Sequence, residues 1–231
     1  MDKISIAILQ PSYIPWIGYF DQIDKVDKFV FYDDVLYTKN DWRNRNKIKA
    51  DNKAIWLTVP ICSKSNQKIN DVKPDSGKNW QKKHLKTLIQ YYKKSRYFNE
   101  IYNIVEKNIF LEKLVDININ IIKDICDYIG TRTTFYISSK LQIGGNRNER
   151  LINICNFFKA KKYITGYAAK SYLDIELFQR ADIEVKFQQY KHPIYEQLGH
   201  NNFIPYLSIL DLLFNYGKDS LKIIKSGTNY V

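Results

Sequence analysis

Five groups of side chains in this 231-residue chain combine types and spacings that suit chemistry. The first is the run Gln10-Pro11-Ser12-Tyr13-Ile14-Pro15-Trp16-Ile17-Gly18-Tyr19. Gln10 can donate and accept, two prolines stiffen the segment, and Tyr13, Trp16 and Tyr19 offer flat faces for a base or a sugar. Gly18 would let backbone approach a ligand closely. The same run would equally make a rigid turn with its aromatics in the core. The second group is Asp33-Asp34, a pair able to act as general base, bind ribose hydroxyls or hold a cation. Aspartate is also common where a strand simply ends in a turn.

The third group is Arg43-Asn44-Arg45-Asn46-Lys47. In extended backbone, period-two alternation puts Arg43, Arg45 and Lys47 on one face and Asn44 and Asn46 on the other. Such a basic row suits a diphosphate, or it is the solvated face of a hairpin. The fourth is His84, which shares a helical stripe with Trp80, Leu88 and Tyr91. An inward imidazole among aromatics is either a core histidine or a general base that deprotonates an amine. The fifth group is Gln197 with Asp211, read as ligand-positioning residues. Ser208, on one helical face with Asp211, lacks the G-x-S-x-G elbow of a serine nucleophile. His192 and His200 fall in loop-like stretches and are secondary candidates, and Cys155 reads as core.

The elements that must position these groups alternate between strand and helix. Residues 4–9 and 28–32 read as buried strands around a short helix within 13–23. That is a βαβ unit, which implies a parallel pair and a right-handed crossover. Residues 45–50 and 54–61 read as a hairpin. Helices follow at 79–94, 97–110 and 112–129, then a strand at 133–138, a helix at 147–158 and strands at 161–165 and 184–190. A last helix at 207–216 ends on Gly217, expected in the left-handed conformation. The pattern predicts an α/β layered fold, mostly parallel sheet flanked by helices, with a β-hairpin and a helical segment (about 79–129) inserted. No linker or repeat divides the chain, so residues 1–231 read as a single domain.

Bulk composition narrows the classes. Lys and Arg number 36 against 24 Asp and Glu, a net charge of +12, which points to anionic partners. No nucleic-acid motif accompanies the charge, so a phosphorylated small molecule is favoured over nucleic acid. No apolar run approaches the ~20 residues of a membrane span, and the apolar start is too short for a secretory core. Cys62, Cys126 and Cys155 are scattered, with no C-x-x-C pair. This argues against a disulfide framework or a zinc site and for a reducing, cytoplasmic setting.

Residues 6–34, IAILQPSYIPWIGYFDQIDKVDKFVFYDD, resemble the opening signature of the WbqC-like family. The resemblance continues through WRNRNKIK (42–49), WLTVPI (56–61), WQKKHLKTL (80–88), YITGYAAKSYL (163–173) and YEQLGHNNFIPYLSILDLLFNYG (195–217). It implies a role in bacterial O-antigen and surface-polysaccharide precursor biosynthesis. The expected activity is a transferase moving an acyl or aminoacyl group to the amino group of a nucleotide-linked sugar. Coenzyme A or an acyl carrier protein would present the group as a thioester co-substrate, with no tightly bound cofactor and no metal. The opening strand, Pro-containing loop and helix are also similar to the start of pantothenate-synthetase-like nucleotidyltransferases. That leaves nucleotidyl transfer or adenylate-forming ligation open, although their two-histidine phosphate motif is missing: no histidine precedes His84. A non-catalytic binding partner of glycan-assembly enzymes is the third alternative.

Overall fold

Short runs of Ile, Val and Phe punctuated by turn residues build the frame. In the computed structural model, which describes residues 3–199 and 202–231, these runs form β1 (Ser5–Leu9), β2 (Lys28–Phe31), β7 (Thr134–Ile137), β8 (Lys162–Gly166) and β9 (Glu184–Gln188). They pair in one five-stranded sheet of order β7-β2-β1-β8-β9. Every pairing in it is parallel, with Ile6 opposite Lys28 on one side of β1 and Tyr163 on the other. Successive side chains of a strand face opposite ways. Ala7, Phe29 and Phe31 therefore join a large core on one face, while Ile6, Ile8 and Val30 join a smaller one on the other. Burial on both faces accounts for the unbroken apolar runs.

The large face is covered by α1 (Ile17–Asp24) and by an insertion between β2 and β7. The insertion carries the hairpin β3 (Arg45–Ala50) and β4 (Lys53–Thr58), then the small pair β5 (Ile61–Cys62) and β6 (Lys73–Pro74). It continues through the helices α2 (Trp80–Tyr92), α3 (Phe98–Asn108) and α4 (Leu114–Ile129). β7 leads directly into the single-turn helix α5 (Ser138–Leu141). The opposite face is covered by α6 (Arg147–Phe157), which starts on an Asn146/Glu149 capping box, and by α7 (Ile175–Arg180), capped by Asp174. Helices α8 (Ile209–Tyr216) and α9 (Ser220–Ser226) return to the large face. Residues 229–231 then run antiparallel beside β9, with Phe187 and Val231 exchanging backbone hydrogen bonds at 2.7 and 2.9 Å.

The expected α/β class, parallel βαβ start, hairpin and inserted helical segment are all present. Three details differ. β4 stops at Thr58: Val59 still donates in register to the carbonyl of Asn44 (2.7 Å), but Pro60, which has no N–H, follows. The short helices α5, α7 and α9 and the small pair β5–β6 add to the elements expected from sequence. Gly217 does take a positive φ, 52°, but with ψ of −128° rather than the left-handed helical value. Among the described residues, no helix is long and apolar enough to cross a membrane.

Candidate functional site

The sheet order dictates where a ligand can enter. From β1 the chain moves outward to β2 and β7, then crosses back to β8 and β9 on the far side of β1. Connections leaving β1 and β8 diverge, and in open parallel sheets the crevice beyond the carboxyl ends of such a pair is where ligands bind. A cleft of about 1110 Å³ opens there. Its lining comes from the ends of β1 (Leu9, Gln10), β8 (Thr165, Gly166) and β9 (Gln188, Gln189), with Gln22 from α1 and Arg43 and Asn46 from the start of the hairpin. Trp16, Tyr19, Tyr32, Trp42, Tyr190 and Tyr206 supply much of the wall.

The loop after β1 is held rigidly. Asn118 of α4 donates to the carbonyls of Pro11 (3.2 Å) and Arg43 (2.8 Å), tying loop and hairpin together. Asn46 donates to the carbonyls of Ile14 (2.9 Å) and Tyr13 (3.4 Å). Ile14 sits at φ 37°, an outlier for a β-branched residue that surrounding contacts must impose. Ser208 caps α8 through its Oγ, donates its own N–H to the Lys47 carbonyl (2.8 Å), and is followed by Ile209 donating to Pro15 (2.9 Å). Hairpin, loop and α8 therefore form one framework around the mouth of the cleft.

Of the residues singled out by sequence, Gln10, Trp16, Tyr19 and Arg43 line this cleft. Arg43 donates Nη1 to Asp41 (2.6 Å) and Nη2 to the Gln10 carboxamide oxygen, and its buried Nε has no partner within the protein. Tyr19 donates to the Gln10 carbonyl (3.1 Å). Trp16 stands against Tyr190 and Tyr206 and stacks on His192, ring centroids 6.4 Å apart. Gly18 serves this tryptophan rather than a ligand: a Cβ there would lie 2.4 Å from two atoms of the indole.

The basic row divides. Alternation holds, with Asn44 and Asn46 buried and Arg43, Arg45 and Lys47 on the other face. Only Arg43 reaches the cleft. Arg45 and Lys47 lie over the ring of Trp56, at 4.4 and 4.8 Å from its centroid. Asn44 is spent on the Val59 carbonyl (2.9 Å).

The three residues expected to move protons lie elsewhere. His84 is buried, with Nδ1 2.9 Å from the Tyr13 hydroxyl and Nε2 3.2 Å from the Thr58 carbonyl. A carbonyl can only accept, so Nε2 carries the hydrogen and Nδ1 accepts from Tyr13. Burial lowers its pKa to about 4, outweighing the opposing effect of the Thr58 hydrogen bond. Tyr13, His84 and Trp80 thus form a core cluster away from the cleft. Asp33 receives Ser139 through both its N–H (2.9 Å) and its Oγ (2.7 Å), closing the start of α5. It borders a smaller hollow of about 280 Å³ with Asn70 and Lys113. Asp34 pairs with Arg150 and accepts from Ser138 (2.5 Å). Burial alone would raise its pKa, but these hydrogen bonds and the Arg150 charge outweigh it and hold the carboxyl below its ordinary value.

The remaining candidates are framework. Tyr91 is only half-buried; its neighbour Tyr92 points inward, donating to Asp211 (2.8 Å) and accepting from the Lys49 N–H (2.9 Å). Tyr195 donates to the other Asp211 oxygen (3.0 Å). Burial raises the Asp211 pKa in spite of those bonds and of the nearby Lys49 charge. Gln197 clamps its loop by exchanging two hydrogen bonds with Ile204. The His192 Nδ1 bonds to the Pro193 carbonyl (2.9 Å), and burial lowers its pKa. His200 lies outside the described residues. The thiol of buried Cys155 is pushed up to about 12. Among the described residues no group of His, Cys, Asp or Glu is placed to hold a metal ion.

What sequence reading missed is the amide floor of Gln22 and Gln188 and the rim residue Tyr206. The only signal available was position, since Gln188 ends a strand as Gln10 does.

Comparison with known proteins agrees with the early resemblance. Residues 10–223 match the family model described as the WbqC-like protein family. An uncharacterized protein of Mycobacterium tuberculosis is 40% identical over 222 residues, covering 93% of this chain and 95% of that protein. No solved structure matches the chain. A switch-point cleft lined from both ends of the matched region is thus the feature to be explained in a chain that belongs to the WbqC-like protein family.

Proposed function

We propose that the protein is a transferase of surface-polysaccharide precursor biosynthesis. It would bind a nucleotide-linked amino sugar in the switch-point cleft and transfer an acyl or aminoacyl group to the sugar amine from a thioester on coenzyme A or an acyl carrier protein. The observation that carries this reading is the composition of the cleft. Aromatic walls suit a base and a sugar face, carboxamides suit hydroxyl and amide groups, and one guanidinium, Arg43, suits a phosphate. At about 1110 Å³ the space slightly exceeds an ordinary small-molecule site, enough for a sugar nucleotide with the end of a thioester arm.

The described lining residues include no Asp, Glu or His. That favours transfer to nitrogen over transfer to oxygen. An alcohol needs a base to become a nucleophile, whereas an amine needs only to be neutral, and desolvation in an apolar cleft lowers its pKa. In the proposed step the amine nitrogen attacks the thioester carbonyl, the C–N bond forms and the C–S bond breaks. The thiolate that leaves takes up the proton lost from nitrogen. The test is incubation of the protein with nucleotide-linked amino sugars and acyl or aminoacyl thioesters, with products read by mass spectrometry. An N-acylated sugar nucleotide and free thiol are expected. No product, together with no thermal stabilisation by any sugar nucleotide at 100 times a plausible Kd, where about 2.7 kcal/mol would be expected, would refute the proposal.

A further inference from the structure

Beside the cleft, the hairpin carries an aromatic surface that nothing in the protein covers. Of the four tryptophans, Trp80 is buried and Trp16 packs among the cleft aromatics, but Trp42 and Trp56 are 49% and 43% exposed. Their rings lie 5.7 Å apart, tilted by 38°. Single exposed apolar side chains are ordinary, whereas contiguous indoles left to solvent mark an interaction site. Lys47 stands opposite Trp56 in the hairpin register and Arg45 opposite Thr58, all on one face. Both cations therefore lie against the Trp56 ring, at 4.8 and 4.4 Å from its centroid. Neither makes an ion pair among the described residues, whereas Arg43 is held by Asp41. Trp42 is fixed at the cleft rim: its carbonyl accepts from the Tyr13 N–H (2.9 Å), and its side chain joins the lining. Trp42 thus belongs to both surfaces.

We infer that Trp42, Trp56, Arg45 and Lys47 form the docking site for the phosphorylated adenosine end of coenzyme A, the thioester donor, an inference that rests on the function proposed above. Adenine can lie against the exposed indoles, since every base has a π-face to stack. Arg45 and Lys47 are free to meet the phosphates, and cations already held against an aromatic ring lose less freedom on binding. The pantetheine arm then passes Trp42 into the cleft. That space takes a sugar nucleotide and only the end of the arm, so the nucleotide end of the donor must lie outside it. Charge and size select this occupant over a protein. A second copy of the chain would set two cationic faces against each other. A stable protein partner of any kind covers about 800 Å² on each side, more than two half-exposed indoles and two cations offer.

The experiment uses the full chain and isothermal titration with coenzyme A and with 4′-phosphopantetheine, the same arm without its adenosine end. Wild type should bind coenzyme A more tightly by roughly five- to a hundred-and-fifty-fold, the range expected from one base–aromatic stack. Trp56→Leu should bring the two affinities together, and Trp56→Phe, which keeps an aromatic face, should restore much of the difference. The double variant Arg45→Met/Lys47→Met should weaken coenzyme A and flatten the salt dependence of its binding. It carries the test if urea melts show that Trp56→Leu does not fold. Equal wild-type affinities for the two probes, or an unchanged ratio in a folded Trp56→Leu protein, would overturn the inference. So would an unchanged coenzyme A affinity in the double variant. Acyl transfer to a sugar nucleotide from a carrier-protein thioester but not from coenzyme A would also overturn it, and would leave the proposed function standing. No sugar-nucleotide binding and no product from either donor would instead refute the function itself.

Discussion

Arg43 is the one charged side chain among the described residues lining the cleft, so removing its charge tests the ligand class directly. Its guanidinium carries five N–H donors. One goes to Asp41 and one to Gln10; the Nε–H is buried without a partner, which leaves one hydrogen on each Nη to meet a ligand. A phosphate oxygen meeting those donors would make charge-assisted hydrogen bonds, each contributing about 1.5–3 kcal/mol. Arg43→Met should therefore weaken binding of a sugar nucleotide by roughly ten- to a hundred-and-fifty-fold, at 1.4 kcal/mol per factor of ten. Stability should change little by comparison, because the Arg43–Asp41 pair is partly exposed, 22% and 25% by side chain, and such pairs contribute about 0–1 kcal/mol. Titration calorimetry at two ionic strengths, beside urea unfolding, separates the effects. A folded Arg43→Met protein that binds the sugar nucleotide with wild-type affinity would refute phosphate recognition in this cleft.

Two further perturbations test the framework. His84 has a folded pKa near 4 against an unfolded value near 6.5, so its contribution is fully present above pH 6.5 and is lost as pH falls toward 4. At 1.36 kcal/mol per unit that loss is about 3 kcal/mol; urea unfolding across this window should show it, and His84→Gln should flatten the profile with ligand affinity intact. Asp211→Leu would strand the buried, unpartnered Nζ of Lys49 at a cost of about 3–5 kcal/mol, and Lys49→Met in the same chain should recover most of it; equal destabilisation of the single and double variants in denaturant melts would show that the two charges do not interact.

The strands were legible because a parallel sheet buried on both faces demands unbroken apolar runs, and IAIL, KFVF and YIT are such runs between turn residues. Strand order was not, because it rests on contacts such as Ser5 opposite Lys162 that leave no local periodicity. The inward stripe of α2 was legible at Trp80, His84 and Leu88 but not at Tyr91. At 100° per residue the buried arc is centred on Leu88, and Tyr91 lies as far to one side of it as buried Leu85 does to the other, so angle alone does not show that Tyr91 is only half-buried. His84 shows the limit of such a pattern. Periodicity says that it points inward, but not whether inward means a cavity or, as here, the hydroxyl of Tyr13. Gln10, Trp16 and Arg43 were legible by their place beyond a strand end, whereas Gln22 reads as an ordinary polar position on a short helix until Gln188, 166 residues later, is brought against it.

That long-range pairing also explains why the end of the chain matters to a cleft built around its beginning. Thr228 and Tyr230 reach Asp21 only because residues 229–231 extend β9 as an antiparallel edge. Asp21 in turn fixes which way Gln188 turns, and Gln188 fixes Gln22. Each link is a hydrogen bond whose donor and acceptor cannot exchange roles, because it ends on a carbonyl or on a carboxylate whose other contacts are hydroxyl donors. The Gln22 oxygen at the end of this chain is itself buried without a partner. The geometry beneath the cleft is therefore a property of the closed sheet edge as well as of the loop after β1.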